Sequence, residues 1–521
     1  MAEHSFHIGA PVAGAALALL AALGATPAGA APPHTDTTDI SGPGTAAASR
    51  FVPGPCPRTP EPIEALATAR CGVLEVPENR ARPGGRTIRL AVAVIPPVSA
   101  KPAQDPVVFM SGGPGGETFD DIPFLVSSGL NRDRELIVMA QRGNLYDKPN
   151  LACPELDRFY ARSVGLPSYA PQTERPLLDA VKQCRDRLTA DGTDLSAYNS
   201  TENAADFADL RTALRIKQWN VYGHSYGSNL ALTYLRLHPQ GIRAVALDSA
   251  APAPYVSLPF AWGSAREGLD NLYKACASDP RCKSRYPDLE RTLNEQVRKL
   301  EAQPLTLNVR PPRGGDPVKV VLDGGALVEL LVAKAIPFKD VPAAIDELGR
   351  GRPERFARAR AAGSEQVAGQ TAHGLTQSVV CSEWLPDHSP SDVLKAGREA
   401  FPEWPESVQA QAPQLAFQDQ MCRIWNVPDR TATQRVATES AVPTLFINGT
   451  FDMKTGPSWA RKAARTLSHS TTVEVPGIGH WVVPQSPCAQ KVLASFLTRP
   501  TAPDTGCVAG LRWEPFTITP K

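Results

Sequence analysis

Several features are missing from this chain. It has no charge imbalance: 54 Lys and Arg against 53 Asp and Glu leave a formal net charge of +1. No basic stripe gathers anywhere, which argues against nucleic acid as a partner. There is no C-x-x-C pair and no clustered Cys/His spacing, so no metal site is expected. Beyond the N-terminus no stretch is apolar enough to span a bilayer. No internal repeat is present.

What is present is length, proline and cysteine. At 521 residues the chain exceeds what one compact core needs, so a core plus a second domain or a large insertion is expected. Its 51 prolines suit many ordered loops. Ten cysteines suit an oxidising compartment. Cys276 and Cys282 flank "ASDPR", whose Asp-Pro favours a turn. Sequential pairing then joins Cys56 to Cys71, Cys153 to Cys184, Cys381 to Cys422 and Cys488 to Cys507.

Residues Ile8 to Ala30 carry no charge and end in a small-residue A-x-A site, Ala28-Gly29-Ala30. This reads as a secretory signal peptide over residues 1–30. Its n-region departs from the pattern, holding Glu3, His4 and His7 but no Lys or Arg. A membrane anchor fits less well, because Ala and Gly dominate and Pro11 interrupts the run. No cysteine near the cleavage point indicates lipid attachment. Residues 31–50, rich in Pro, Thr, Gly and Ala, read as a disordered leader. The expected location is extracellular, or periplasmic behind an outer membrane, with no stable membrane anchor after cleavage.

Eight apolar, β-branched runs read as strands: "CGVLEVPE", "RTIRLAVAVIPP", "PVVFMSGG", "ELIVMAQRG", "WNVYGHS", "IRAVALDS", "PTLFINGT" and "TTVEVPG". The third to sixth are near-continuous, as expected of strands covered on both faces. Helical periodicity separates the later ones, for example in "ENAADFADLRTALRI" and "SNLALTYLRLH". The alternation predicts an α/β fold with a mostly parallel eight-stranded sheet. It stops across a long charged, mainly helical stretch that reads as a lid between strands six and seven. The expected layout is a core at 51–255, a lid or cap at 256–440 and the rest of the core at 441–521.

The stretch "VYGHSYGSN" contains G-x-S-x-G between a predicted strand and a predicted helix. Glycines at Gly223 and Gly227 remove side chains from a sharp bend, the setting of a nucleophile elbow with Ser225 at its tip. Gly-Ser-rich loops also match the pentapeptide by chance, and a plain tight turn is the competing reading. Three further pieces end strands, where ligands bind in open α/β sheets. "MSGGPGGE" follows the third strand, where such a fold places half of an oxyanion hole. Asp452 in "NGTFDMKTG" follows the seventh, and His480 in "VPGIGHWV" follows the last. The chain order Ser225, Asp452, His480 is that of α/β-hydrolases. Asp248 also ends a strand and is the rival orienting acid. His224 should point away from the reaction and pack. Arg142 and Asp206 suit a structural pair. Trp384, Trp404 and Trp425 suit either a substrate pocket or lid packing.

Taken together, "SGGPGG", "QRGNLYDKPNLACPE", "VYGHSYGSNLALTYLRLHP", "CSEW", "NGTFDMKTG" and "GIGHWVV" resemble the secreted α/β-hydrolases related to prolyl aminopeptidase and actinobacterial tripeptidyl aminopeptidases. Two positions depart from that family: Ser111 stands where His often precedes Gly-Gly-Pro-Gly, and Ala140 where Asp commonly precedes Gln-Arg-Gly. The resemblance implies a serine peptidase acting on peptides with a free N-terminus, needing no metal or organic cofactor. Ser225 would be the nucleophile, His480 the base and Asp452 its orienting acid. Oxyanion donors would be the N–H of Tyr226, which follows the nucleophile, and that of Gly113, with Gly112 the near alternative. An acid at the C-x-E position, Glu383, would face the cleft and bind the substrate ammonium, with Glu117 the second candidate. A carboxylesterase with the same triad is the competing reading.

Overall fold

The computed structural model describes residues 49–520 except 83, 366–368, 387–388 and 415. The expected signal peptide, and all but the last two residues of the expected leader, lie outside the described residues. The strands are β1 (Arg50–Pro53), β2 (Arg70–Pro77), β3 (Thr87–Ile95), β4 (Val107–Met110), β5 (Leu136–Met139), β6 (Trp219–His224), β7 (Ile242–Asp248), β8 (Leu305–Val309), β9 (Val318–Leu322), β10 (Thr444–Gly449) and β11 (Ser470–Val475). Nine of them form one sheet in the order β1-β2-β3-β5-β4-β6-β7-β10-β11. The pairings among β1, β2, β3 and β5 are antiparallel, and every pairing from β5 to β11 is parallel.

All eight expected strands are in this sheet. The correction is a ninth, β1, whose four residues end in Pro53. So short a run carries no readable period, and an edge strand tolerates the missing N–H of proline. Strands β4, β5 and β10 are buried at every residue. Alternate residues feed two cores. Val108 and Val221 join one face, and Phe109 and Tyr222 the other. The second face is closed by the helix Pro487–Thr498 through Val492, Leu493 and Phe496.

Residues 249–443 lie between β7 and β10. Helices dominate this insert, including Leu258–Ser278, Leu289–Ala302 and Gly324–Val332. It also holds the antiparallel pair β8–β9, which the helical reading of this stretch did not anticipate. β8 alternates exposed with half-buried residues, and β9 is only five residues long with Lys319 exposed, so neither gives a clear apolar signal. Insert residues Trp262, Leu293, Leu327 and Trp425 share the first core with Val221 and Val245. The insert is thus seated on the sheet layer by apolar burial, at roughly 25 cal/mol per Å².

All ten cysteines pair as sequential neighbours, with sequence separations from 6 to 41. Among the described residues no helix is long and apolar enough to cross a membrane.

Candidate active site

Strand β6 delivers Ser225 to the turn before the helix Tyr226–Leu237. Ser225 has φ 54° and ψ −123°, a conformation that non-glycine residues rarely hold. The bend needs both neighbouring glycines. A Cβ on Gly223 would lie 2.4 Å from the Gly227 carbonyl oxygen, and one on Gly227 would lie 1.9 Å from that of Met110. Sheet hydrogen bonds hold the turn: Ser225 N–H donates to the Asp248 carbonyl at 2.9 Å. The Ser228 hydroxyl donates to the Ser225 carbonyl at 2.5 Å.

His480 joins the other two sequence-predicted residues. Its Nε2 is 2.9 Å from Ser225 Oγ, and its Nδ1 is 2.8 Å from Asp452 Oδ2. Sitting against a carboxylate, Nδ1 carries the proton, which leaves Nε2 to accept from the serine hydroxyl. Asp452 is fully buried. Its Oδ1 accepts the N–H groups of Lys454 and Thr455 at 2.9 and 3.0 Å, and its Oδ2 accepts the Thr455 hydroxyl at 2.7 Å. Burial pushes this carboxyl up, but His480 and the Thr455 donors outweigh it and hold it below the ordinary Asp value. Thr455 escaped the sequence reading. Its signal was the D-x-x-T spacing after a buried strand, which places a hydroxyl back over the acid.

Asp248 does not touch the His480 ring. It accepts the N–H groups of Val482 and Val483, each at 2.8 Å, and the Tyr222 hydroxyl at 3.0 Å. Next to it, Ser249 Oγ accepts the Trp481 N–H at 2.9 Å. The two residues therefore fix the loop that carries His480. Burial raises Asp248 to about 6, against the pull of those donors. His224 packs, but it does not point away from the site: its ring stacks on Trp481 at 4.7 Å and lies 5.1 Å from the His480 ring, centroid to centroid. Desolvation, with help from His480 and Lys454, holds its pKa well below the ordinary value, so it is a neutral ring beside the site.

The glycine loop meets the nucleophile. A Cβ on Gly112 would stand 3.1 Å from Ser225 Cβ. Gly113 is exposed and has φ 113°. Core side chains tie the loop down: Gln141 Nε2 donates to the Ser111 carbonyl and Asn144 Nδ2 to that of Gly116, both at 2.8 Å. Ser111, the departure from the family's His, donates its hydroxyl to Asp121 at 2.5 Å.

Both proposed ammonium-binding acids are buried and hydrogen-bonded internally. Glu117 accepts the N–H groups of Phe119 at 3.2 Å and Leu145 at 2.9 Å, and burial raises it to about 8. Glu383 accepts the Ser200 hydroxyl at 2.6 Å and the Ser200 N–H. Trp404 and Trp425 are buried, donating to Asn294 Oδ1 at 2.8 Å and Ser378 Oγ at 2.9 Å, which makes them packing residues of the insert. Trp384 meets the Tyr226 ring edge-on at 5.9 Å. Arg142 and Asp206 form a fully buried two-pronged pair, both contacts at 2.8 Å. Among the described residues, one group has metal-like proximity, Cys153, Glu155 and Cys184, and its two sulfurs are joined in a disulfide.

The chain is similar to several known proteins. Serine protease Hip1 of Mycobacterium tuberculosis is 23% identical over 493 residues, spanning 87% of this chain and 89% of that protein. The tripeptidyl aminopeptidase of Streptomyces coelicolor is 28% identical over 206 residues, 36% of this chain and 35% of that one. A solved proline iminopeptidase of Mycobacterium smegmatis superposes with a TM-score of 0.39 at 15% identity, covering 82% of this chain and 98% of that one. The family profile described as the alpha/beta hydrolase fold matches residues 105–487. With the sheet order, the strand-end placement and that match in hand, the chain belongs to the alpha/beta hydrolase fold family.

Proposed function

We propose that the protein is a secreted serine peptidase of aminopeptidase type, releasing tripeptides or other short N-terminal units from peptides. The observation that carries the reading is the unbroken relay from Ser225 Oγ through His480 to the buried Asp452, with steps of 2.9 and 2.8 Å. In the proposed reaction His480 Nε2 takes the hydroxyl proton as Ser225 attacks the scissile carbonyl. Asp452, kept ionised, stabilises the imidazolium. The oxyanion meets the N–H groups of Tyr226 and Gly113. One such donor lowers the barrier by roughly 3 kcal/mol. His480 returns the proton to the leaving amine, and water then hydrolyses the acyl-enzyme. The peptidase names of the relatives support this choice of substrate. Five disulfides suit an oxidising compartment.

A secreted carboxylesterase with the same triad is the second reading. One observation favours it: Glu117 and Glu383 already bind donors of the protein itself. The test is hydrolysis of one tripeptide amide, free and N-acetylated, beside a short-chain p-nitrophenyl ester. An aminopeptidase cleaves the free amide and leaves the acetylated one. Equal turnover of the two amides overturns the aminopeptidase, and turnover of the ester alone establishes the esterase.

A further inference from the structure

The insert reaches both halves of the oxyanion hole with one continuous stretch. The helix His373–Val379 runs directly into a turn of π-helix, Val380–Trp384. Turns of this kind are uncommon and recur at functional sites.

Its N-terminal end lies on the glycine loop. The Ala372 N–H donates to the Gly115 carbonyl at 2.8 Å, and the Thr376 hydroxyl donates to the Pro114 carbonyl at 2.6 Å. Gly116 and Thr371 form an isolated antiparallel bridge. The approach is close enough to demand glycine, since a Cβ on Gly115 would lie 2.6 Å from the Ala372 carbonyl oxygen. Gly112 and Gly113 immediately precede these pinned residues.

Its C-terminal end holds the residue after the nucleophile. Glu383 Oε2 accepts the Ser200 hydroxyl at 2.6 Å, and Ser200 Oγ is 2.9 Å from Tyr226 Oη. A hydroxyl has one proton. When Ser200 donates it to the carboxylate, its oxygen accepts from Tyr226. The hydrogen bonds then run in one direction, from Tyr226 through Ser200 to Glu383. Tyr226, Ser200 and Glu383 are all buried. The Tyr226 ring is anchored at its hydroxyl and flanked by Trp384. A side chain fixed at its far end restricts its own backbone, and that backbone supplies an N–H to the oxyanion.

We propose that the stretch from His373 to Trp384 sets the geometry of the oxyanion hole, with Glu383 positioning the Tyr226 donor and Thr376 positioning the glycine-loop donor. The inference rests on the serine-hydrolase reading above and is independent of peptidase or esterase specificity. Neither side chain touches the reacting atoms, so both are positioning residues. The competing role for Glu383 is only to hold the start of the helix Ser200–Ala213, whose first residue is Ser200. That role predicts lost stability without a transition-state signature.

The test uses the full enzyme and the variants Glu383→Gln, Tyr226→Phe, their double mutant and Thr376→Val. Four quantities are read on each: kcat, KM, the Ki of a substrate-like trifluoromethyl ketone, and labelling of Ser225 by a fluorophosphonate. The ketone forms a hemiketal whose oxyanion occupies the hole. Glu383→Gln is expected to lower kcat about tenfold with KM within about twofold, and to raise the ketone Ki about tenfold, a fraction of what losing a whole donor costs. Tyr226→Phe should do the same, and the double mutant should be no worse than either single. Thr376→Val should act through the other donor, so its factor should multiply with that of Glu383→Gln. Wild-type kcat and ketone affinity in Glu383→Gln overturn the proposal. So does a KM increase confined to free-amine substrates, which returns Glu383 to ammonium binding. Multiplying losses in the double mutant also overturn it. If Glu383→Gln fails to fold, wild-type ketone affinity in both Tyr226→Phe and Thr376→Val overturns it instead. Failure of the fluorophosphonate to label Ser225 in the wild type overturns the serine-hydrolase reading itself, a result distinct from all of these.

Discussion

Asp452 leaves the sheet at the end of β10, and Glu383 sits in the insert. Each is a buried carboxylate that burial pushes up, yet the net shift is opposite in the two. Asp452 faces a histidine that can take a positive charge, plus three donors from Lys454 and Thr455, and is held below the ordinary Asp value against the push of burial. Glu383 is pushed up by burial, and although the hydroxyl and N–H of Ser200 and the charges of Arg430 and Arg236 all pull it down, burial prevails and raises it from 4.5 to about 7. Burial alone therefore does not decide whether an internal acid is charged. Whether the hydrogen bonds and charges around it outweigh the desolvation decides it. The sheet keeps an acid ionised beside a reacting base, and the insert keeps one that titrates near neutrality.

The most direct way to break the contrast is to remove the charge on the sheet side. Asp452→Asn should lower kcat by roughly 10⁴-fold with the fold intact, because the amide favours the wrong tautomer of His480. Steady-state kinetics beside a circular dichroism spectrum checks this, and Ser225→Ala should be at least as damaging. Near-wild-type turnover in Ser225→Ala would end the hydrolase assignment.

Thr455→Val sharpens it. One of the donors that keep Asp452 charged is lost, and a hydrogen bond to a charged acceptor contributes about 1.5–3 kcal/mol. An order-of-magnitude loss of kcat is expected, while Ser225 still reacts with a fluorophosphonate. Unchanged kcat would show that His480 and the two backbone N–H donors suffice to keep the carboxylate ionised.

The third prediction concerns pH. A carboxyl raised in the folded state binds more protons there than in the unfolded chain, so its contribution to stability falls as pH rises from about 4.5 to about 7. In Glu383→Gln this part of the pH dependence disappears. The drop in stability between pH 5 and pH 7.5 should shrink by about 1–3 kcal/mol relative to wild type, read by urea unfolding at both pH values. Asp452 has the opposite sign: its contribution is present above the ordinary Asp value and is lost as pH falls through the lowered one. An unchanged drop in Glu383→Gln would mean that Glu383 is not the titrating group.

The last comparison separates two bridges of the insert. Cys381–Cys422, two residues before Glu383, closes a separation of 41, and Cys276–Cys282 one of 6. Loop-closure entropy predicts about 4 kcal/mol for removing the first and about 2 for the second. Only the first should also lower kcat, because it anchors the π-helical turn. Paired Cys→Ala variants, compared by thermal unfolding and turnover, check both statements.

Much of the sheet was legible because strands buried on both faces write unbroken apolar runs, as in "VVFM" and "LIVM". The elbow was legible for a steric reason, since only glycine fits at Gly223 and Gly227. β1, β8 and β9 were not, because strands of four and five residues that include exposed positions carry too few residues to show a period. The role of Asp248 was equally hidden. Its strand-end position resembles that of Asp452, and only the fold turns it toward the backbone of Val482 and Val483.

By itself the sequence determined the parts governed by short-range rules: the order Ser225, Asp452, His480 along the chain, the strand-to-helix bend, and cystine pairs between sequential neighbours. These depend on backbone sterics and on closing short loops, both set by nearby residues. Only the tertiary structure decided which residue meets Glu383. Ser200 lies 183 positions away, and nothing in "CSEW" names it. Such a contact is selected by how the insert packs over one face of the sheet, and that packing belongs to the whole chain at once.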